Sequence, residues 1–322
     1  MKWLAFTAAI FISSACSLIA KDHAAEQQLL DSAHKPADLF LDDGNPFDLE
    51  VDFTAQFKEP VPGHLSLKWQ SKDHWWSKVD VGGFEETLIK SGEMEYTSRN
   101  FPYTPREVLQ LFYLLHFRGS EGGLIAEKQK NRVENGVSMI CIEAERENYR
   151  TETHAVCLDT SSHELLSDEW QETPATKKQQ FIDYVDFDGK RYPKKFQLFK
   201  DNTAVVSANV RSLQGAAFDS ALLDPPKDAI ERRMCRGMKP PKAIKEVQPV
   251  FSGAGKSMGL VSMSVTILTD GSVGAVRIIH SVAQKVDNIA MDTMKKWKYK
   301  PAMCGDEPVV SDEEVSLTFE IH

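Results

Sequence analysis

The chain has little of what several common function classes require. Positive charge is in deficit, with 38 Lys and Arg against 47 Asp and Glu and a formal net charge of -9 over 322 residues. Phosphate neutralisation along a nucleic acid needs clustered Lys and Arg, so this balance argues against nucleic-acid binding. It also offers no general attraction to anionic lipid. Beyond the first twenty residues no apolar run is long enough to span a bilayer. No H-E-x-x-H or C-x-x-C appears, and no G-x-S-x-G sits at a strand-to-helix elbow. The nine His are scattered, and the carboxylates fall on the polar faces of strands, where solvation accounts for them. SGAGKS, at Ser252 to Ser257, lacks the first Gly of a phosphate loop, Val250 standing in its place, and a strand follows it instead of a helix. No catalytic residue, cofactor site or metal site is legible, and the chain reads as a non-enzyme.

What is present suffices for a folded protein of more than one domain. Hydrophobic residues make up 42% of the chain, and the length favours two domains. The N-terminus, MKWLAFTAAIFISSACSLIA, has Lys2 at its charged end, an apolar stretch from Leu4 to Ile12, and small residues at Ser13, Ser14, Ala15 and Ser17. Residues 1–20 read as a secretory signal peptide. Two alternatives stay open. The uncharged run from Trp3 to Ala20 is long enough for an uncleaved anchor, and Cys16 follows a short stretch resembling a lipoprotein box, with Ser13 where Leu is usual.

Apart from Cys16 there are four cysteines, an even number that suits an oxidising compartment. Zinc ligands and four buried thiols are the alternatives to two bridges. VSMICIEAE and THAVCLDTSS flank a polar turn. A hairpin centred near Tyr149 sets Cys141 opposite Cys157. The remaining pair is then Cys235 with Cys304, provided that the segment before the terminal hundred residues returns to the loop after Trp297.

Lys21 to Ala37 reads as a short helix carrying Leu29, Leu30 and Ala33. FDLEVDF alternates Phe47, Leu49, Val51 and Phe53 with acidic residues, the period of a half-buried strand. HLSLKWQ, DHWWSKVDV and FEETLIK continue an antiparallel meander. In DHWWSKVDV, Trp75 and Trp76 point to opposite faces, which favours a core role for one over a ligand platform. FPYTPREVLQLFYLLHF interrupts the strands with a helix. Thr104 is its expected N-cap, Pro105 its first residue and Glu107 the partner in a capping box. Its apolar residues point in nearly all directions, which predicts a buried plug. Strands then resume, with Asp188-Gly189 marking a tight turn. Pro225-Pro226 and Pro240-Pro241 bracket a connector, and the boundary is placed near 225, giving units 21–225 and 226–322.

The last hundred residues are organised differently. Two strands flank Asp270-Gly271, a hairpin signature. A helix is expected from Gln284 to Trp297, and a final strand carries Val315, Leu317, Phe319 and Ile321 on one face. The motif residues are Asp270, Gly271, Ser281, Trp297-Lys298-Tyr299-Lys300-Pro301-Ala302 and Gly305 with Pro308-Val309. On these the segment resembles the C-terminal domain of TonB, the energy transducer of the bacterial envelope. Phe251-Ser252 stands where that family has a Tyr-Pro pair, and there is no long Pro-rich spacer. Residues from about 45 to 215 are similar in pattern to the LolA-like carriers of outer-membrane lipoproteins.

These resemblances imply an α+β protein. Its N-terminal part is expected to be a curved antiparallel half-barrel with plugging helices, and its C-terminal part a two-layer ββαβ unit. They also imply a location in the periplasm or cell envelope and a link to transmembrane transport at the outer membrane. The implied partner is an outer-membrane receptor or other envelope protein, bound by strand addition along Val315, Ser316, Leu317, Thr318, Phe319 and Glu320. Glu313, Glu314 and Glu320 are the residues expected to blunt that edge. A lipid or acyl ligand is implied for the N-terminal part. An N-terminally anchored energy transducer and an envelope hydrolase with a site assembled from distant residues remain the alternatives.

Overall fold

The computed structural model describes residues 23–41, 43–101, 104–116, 123–134, 136–146, 149–172, 175–233, 235, 237–249, 257–280 and 283–321. The signal-peptide reading, Ser281 and nearly all of SGAGKS lie outside the described residues.

One antiparallel sheet takes up most of the chain. Its strands are β1 (Phe47–Gln56), β2 (Pro60–Ser71), β3 (His74–Val81), β4 (Phe84–Ser91), β5 (Met94–Arg99), β6 (Leu124–Glu134), β7 (Val137–Arg146), β8 (Tyr149–Asp159), β9 (Leu165–Glu172), β10 (Ala175–Phe187), β11 (Lys190–Lys200), β12 (Thr203–Gly215) and β13 (Ile230–Arg233). The spatial order is β13-β5-β4-β3-β2-β1-β12-β11-β10-β9-β8-β7-β6. The chain therefore runs outward from β1 to β5, moves to the opposite end of the sheet at β6, and returns strand by strand to lie beside β1. The transfer is made by α2 (Arg106–His116). The turn at Asp188-Gly189 has positive φ at both residues, as a tight hairpin requires.

Alternation sets the faces. Phe47, Leu49, Val51 and Phe53 are at most 3% exposed and enter the main core with Leu65, Leu67, Phe181 and Phe196. The outward carboxylates of β1 are not simply solvated. Lys68 Nζ lies 2.8 Å from Asp48 and 3.3 Å from Glu50. His64 lies 2.8 Å from Glu50 and 3.0 Å from Asp52, which Arg211 also holds. The expectation of solvated carboxylates is corrected here: adjacent strands in register bring opposite charges within contact.

The helices also depart from the sequence reading in detail. α1 (Ala24–Ser32) is followed by a separate 3-10 turn, Pro36–Phe40. Gln27 of α1 bonds the open side of β6, donating to the Leu124 carbonyl at 3.1 Å and accepting from the Ala126 N–H at 2.8 Å. A side-chain amide thus covers part of a sheet edge. α2 buries Val108, Leu111, Leu114 and Leu115 against the sheet, but Tyr113 is 47% exposed, so the helix is not enclosed all round. The Thr104 hydroxyl donates to Glu86 and accepts from Arg99 at 3.2 Å, linking the start of the helix to the sheet.

The C-terminal part contains β14 (Lys242–Lys245), β15 (Ser257–Ile267), β16 (Val273–His280), α3 (Gln284–Met294), β17 (Lys298–Lys300), β18 (Ala302–Cys304), β19 (Glu307–Val309) and β20 (Ser311–Ile321). A three-stranded antiparallel sheet has the order β16-β15-β20. α3 packs on one face, enclosing Val261, Met263, Val265, Val286, Ala290, Met294, Leu317 and Phe319 in a second core. α3 ends three residues earlier than the apolar spacing suggested. Lys296 N and Trp297 N turn back to carbonyls three residues before them, and Trp297 closes the core from outside the helix.

Both bridges are present. Cys141 and Cys157 are register partners on β7 and β8 with Cα atoms 4.0 Å apart. Cys235, just past β13, is joined to Cys304 at the end of β18, with Cα atoms 6.0 Å apart. The second bridge ties the connector leaving the large sheet to the C-terminal part.

Candidate functional site

Of the residues that carry the C-terminal resemblance, Asp270, Gly271, Trp297, Tyr299 and Pro301 meet at one junction, while Gly305 and Pro308-Val309 lie in the separate β18–β19 hairpin. The Asp270 carboxylate accepts from the Ser272 hydroxyl and from the Ser272 N–H at 2.8 Å; these bonds, the hydroxyl first, pull its pKa below the usual carboxylate range, and they close the β15–β16 turn. Gly271 sits inside that turn at φ +76°, and its carbonyl accepts from the Tyr299 N–H at 2.8 Å. A Cβ at Gly271 would stand 1.9 Å from the Tyr299 carbonyl oxygen and 3.7 Å from Pro301 Cδ. Trp297 donates from Nε1 to the Val247 carbonyl at 2.9 Å, and its ring lies 6.1 Å from that of Tyr299. The motif therefore acts as a structural lock. It holds the hairpin turn, the segment after α3 and the segment before β15 together.

β20 is held by β15, the strand that leads into the locked turn. Along its whole length β20 pairs with β15, from Ser311 opposite Ile267 to Ile321 opposite Ser257. Its other side has no strand partner among the described residues. Leu317 and Phe319 are buried and Val315 packs against the same core, while Ser316 and Thr318 are exposed. The side chains of Glu320 and Ile321 lie outside the described residues. Glu314 is exposed, but Glu313 is on the core side. One Glu313 carboxylate oxygen is buried with no partner among the described residues, and burial pushes its pKa up. Tyr299 is pushed up to about 12 by burial, then by Glu313 and Glu246.

On the large sheet, the core face is mostly apolar and α2 packs into the same core. A cavity of about 170 Å3 remains beside the helix, lined by Leu67, Trp75, Ile89, Tyr96, Phe112 and His116 among others. Trp75 thus faces the core side, as one member of the Trp75–Trp76 pair must. Sequence reasoning missed a buried polar pair on this sheet, His154 on β8 with Asp168 on β9, at 2.8 Å and stacked on Trp170. An i to i+14 pairing across a hairpin leaves no local signal. Both side chains are 1% exposed, which closes them to a substrate. Among the described residues no group of three or more His, Cys, Asp or Glu is placed to hold a metal ion, and no helix is long and apolar enough to cross a membrane.

Residues 254–321 match the family described as Gram-negative bacterial TonB protein C-terminal. No curated protein matches the chain in sequence. Among solved structures, the fold is similar to a LolA superfamily protein from Nitrosomonas europaea. The identity is 10% and the TM-score 0.39, covering 61% of this chain and 96% of that one. A DUF1329 family protein from Desulfovibrio piger is similar at 10% identity and TM-score 0.42, over 62% of this chain and 96% of that one. A chain of the Pseudomonas aeruginosa MucA/MucB complex is similar at 9% identity and TM-score 0.29, over 77% and 82%.

Proposed function

We propose that this chain is a non-enzymatic protein of the bacterial envelope, exported to the periplasm, whose C-terminal unit is a TonB-type ββαβ interaction module. The module recognises an outer-membrane receptor or another envelope protein by strand addition. The observation that carries the reading is the side of β20 that has no strand partner among the described residues, while its other side pairs with β15 along eleven residues. Main-chain hydrogen bonds to such an edge supply affinity, and the exposed side chains of Ser316 and Thr318 flank the incoming strand. Two disulfides suit an oxidising compartment. The family match over 254–321 supports the same reading.

The test is hydrogen exchange on the full chain with peptides from periplasm-facing segments of outer-membrane receptors. Protection is expected to rise along 314–320, and a Pro at an outward-donating position of β20 is expected to abolish the rise while the domain stays folded. If no such peptide slows exchange there, the module is structural or serves self-association.

A second reading is favoured by the cavity beside α2, which suits the end of an acyl chain. In this reading the large sheet carries a lipid or acyl group, with α2 as the gate. Leu111 and Leu114 lie fully buried on α2, and Leu109, Phe112, Tyr113 and His116 of the same helix line the cavity. A fluorescent fatty acid that neither binds the wild type nor gains affinity when Leu111 and Leu114 become Ala would leave the large sheet as a closed scaffold.

A further inference from the structure

The face of the small sheet opposite α3 turns toward the large sheet, and a cavity of about 100 Å3 lies between them. Arg99 of β5, Arg232 at β13, Arg277 of β16, Ser264, Thr266 and Asp312 line it. Two of the guanidiniums have protein partners. Arg99 lies 3.5 Å from Glu86 and donates to Thr104. Arg232 lies 3.3 Å from Asp312 and donates to Thr97 at 3.1 Å, yet its Nε is buried with no partner among the described residues. Arg277 is different. It is half-buried, and no carboxylate lies within ion-pair distance of it among the described residues. Burial works against its charge; Tyr113 and Asp312 oppose this, while Arg106 and Arg99 reinforce it.

A half-buried guanidinium among like charges is costly unless an anion completes the site. Three guanidiniums and one carboxylate line the cavity. Glu86 sits behind Arg99, and burial pushes its carboxyl up. The surplus is therefore one to two positive charges, and a phosphate group carries roughly -1.5 to -2 at pH 7. The donors also match in kind. Guanidinium forks pair bidentately with phosphate oxygens, and the Ser264 hydroxyl lines the same wall. A carboxylate would accept fewer of these donors.

We propose that this cavity is a phosphate-binding site built jointly by the large sheet and the C-terminal unit, so that the occupied site clamps the two together. The phosphate is either a free ion or the head of a lipid phosphate monoester.

The test uses the full chain and inorganic phosphate against sodium chloride at matched ionic strength. A saturable rise in Tm is expected with phosphate only. Arg277→Gln is expected to abolish the rise without lowering the starting Tm, because it removes a half-buried charge that has no ion-pair partner among the described residues. Ser264→Asp, which places a carboxylate in the cavity, should abolish it by a second route and covers a failure of Arg277→Gln to fold. Vesicles of phosphatidylcholine with and without phosphatidic acid separate the sources. Flotation of wild type but not Arg277→Gln with phosphatidic acid assigns a lipid phosphate, and a Tm response without flotation assigns the free ion. No phosphate-specific Tm rise and no flotation, or a full response retained in both variants, overturns the site.

Discussion

His154 Nδ1 lies 2.8 Å from an Asp168 carboxylate oxygen across adjacent strands, with both side chains 1% exposed. In a dry core the penalty for separating such a pair exceeds its net worth when intact. Asp168→Ala is therefore expected to destabilise the large sheet by about 3–5 kcal/mol. The double change His154→Phe with Asp168→Leu is expected to recover most of that loss. Urea unfolding followed by Trp fluorescence measures both, and a loss below about 1 kcal/mol for the single change would mean that the pair is hydrated.

Gly271 and Gly305 both have positive φ, at +76° and +63°, but different surroundings. At Gly305 an added Cβ meets nothing within 4 Å, so Gly305→Ala should cost only backbone strain, about 1–2 kcal/mol. At Gly271 the same atom meets the Tyr299 carbonyl oxygen, and that backbone must move. Gly271→Ala is expected to lower the Tm of the C-terminal unit well beyond Gly305→Ala and to raise hydrogen exchange along β20.

Acid should weaken the β1–β2 charge ladder. Burial raises the Glu50 pKa, but bonds from Ser66, His64 and Lys68 outweigh it and hold the carboxyl below its ordinary value. A depressed folded-state pKa means that the stabilisation is present above the unfolded value, near 4.5, and is lost as pH falls through the folded value. Glu50→Gln is expected to lie below wild type at pH 7 and to show a smaller drop in urea midpoint between pH 6 and pH 3. Parallel pH profiles for the two proteins would remove Glu50 from the acid response.

The bridges should differ in worth. Cys141 and Cys157 are 16 residues apart, and Cys235 and Cys304 are 69 apart. In the chain-entropy picture their loss costs about 3 and about 4 kcal/mol respectively. Replacing each pair by Ser, with midpoints read separately for the two cores, tests the ranking. Loss of the second pair is also expected to increase proteolysis between β13 and β14.

Much of the fold was legible because faces and tight turns are local properties. The alternation at Phe47–Phe53 sets which side is buried, since successive residues of a strand point opposite ways. Gly271 and Asp188-Gly189 mark turns because few residues adopt their positive φ. Hairpin symmetry was enough to place Cys141 against Cys157. On the site, the sequence indicated the C-terminal strand and its motif, but not why the motif matters, which lies in the approach of Gly271 to Tyr299.

What only the tertiary structure decided is which distant segments meet. β1 pairs with β12 about 160 residues away, β13 extends the sheet beside β5, and Arg99, Arg232 and Arg277 converge on one cavity from three elements. Periodicity records which way a side chain points, not which strand lies next to it. Neighbours across a sheet are chosen by the summed burial and pairing of whole strands. A residue such as Thr104, read locally as a helix cap, is therefore drawn to Glu86 and Arg99 once the chain has closed around it.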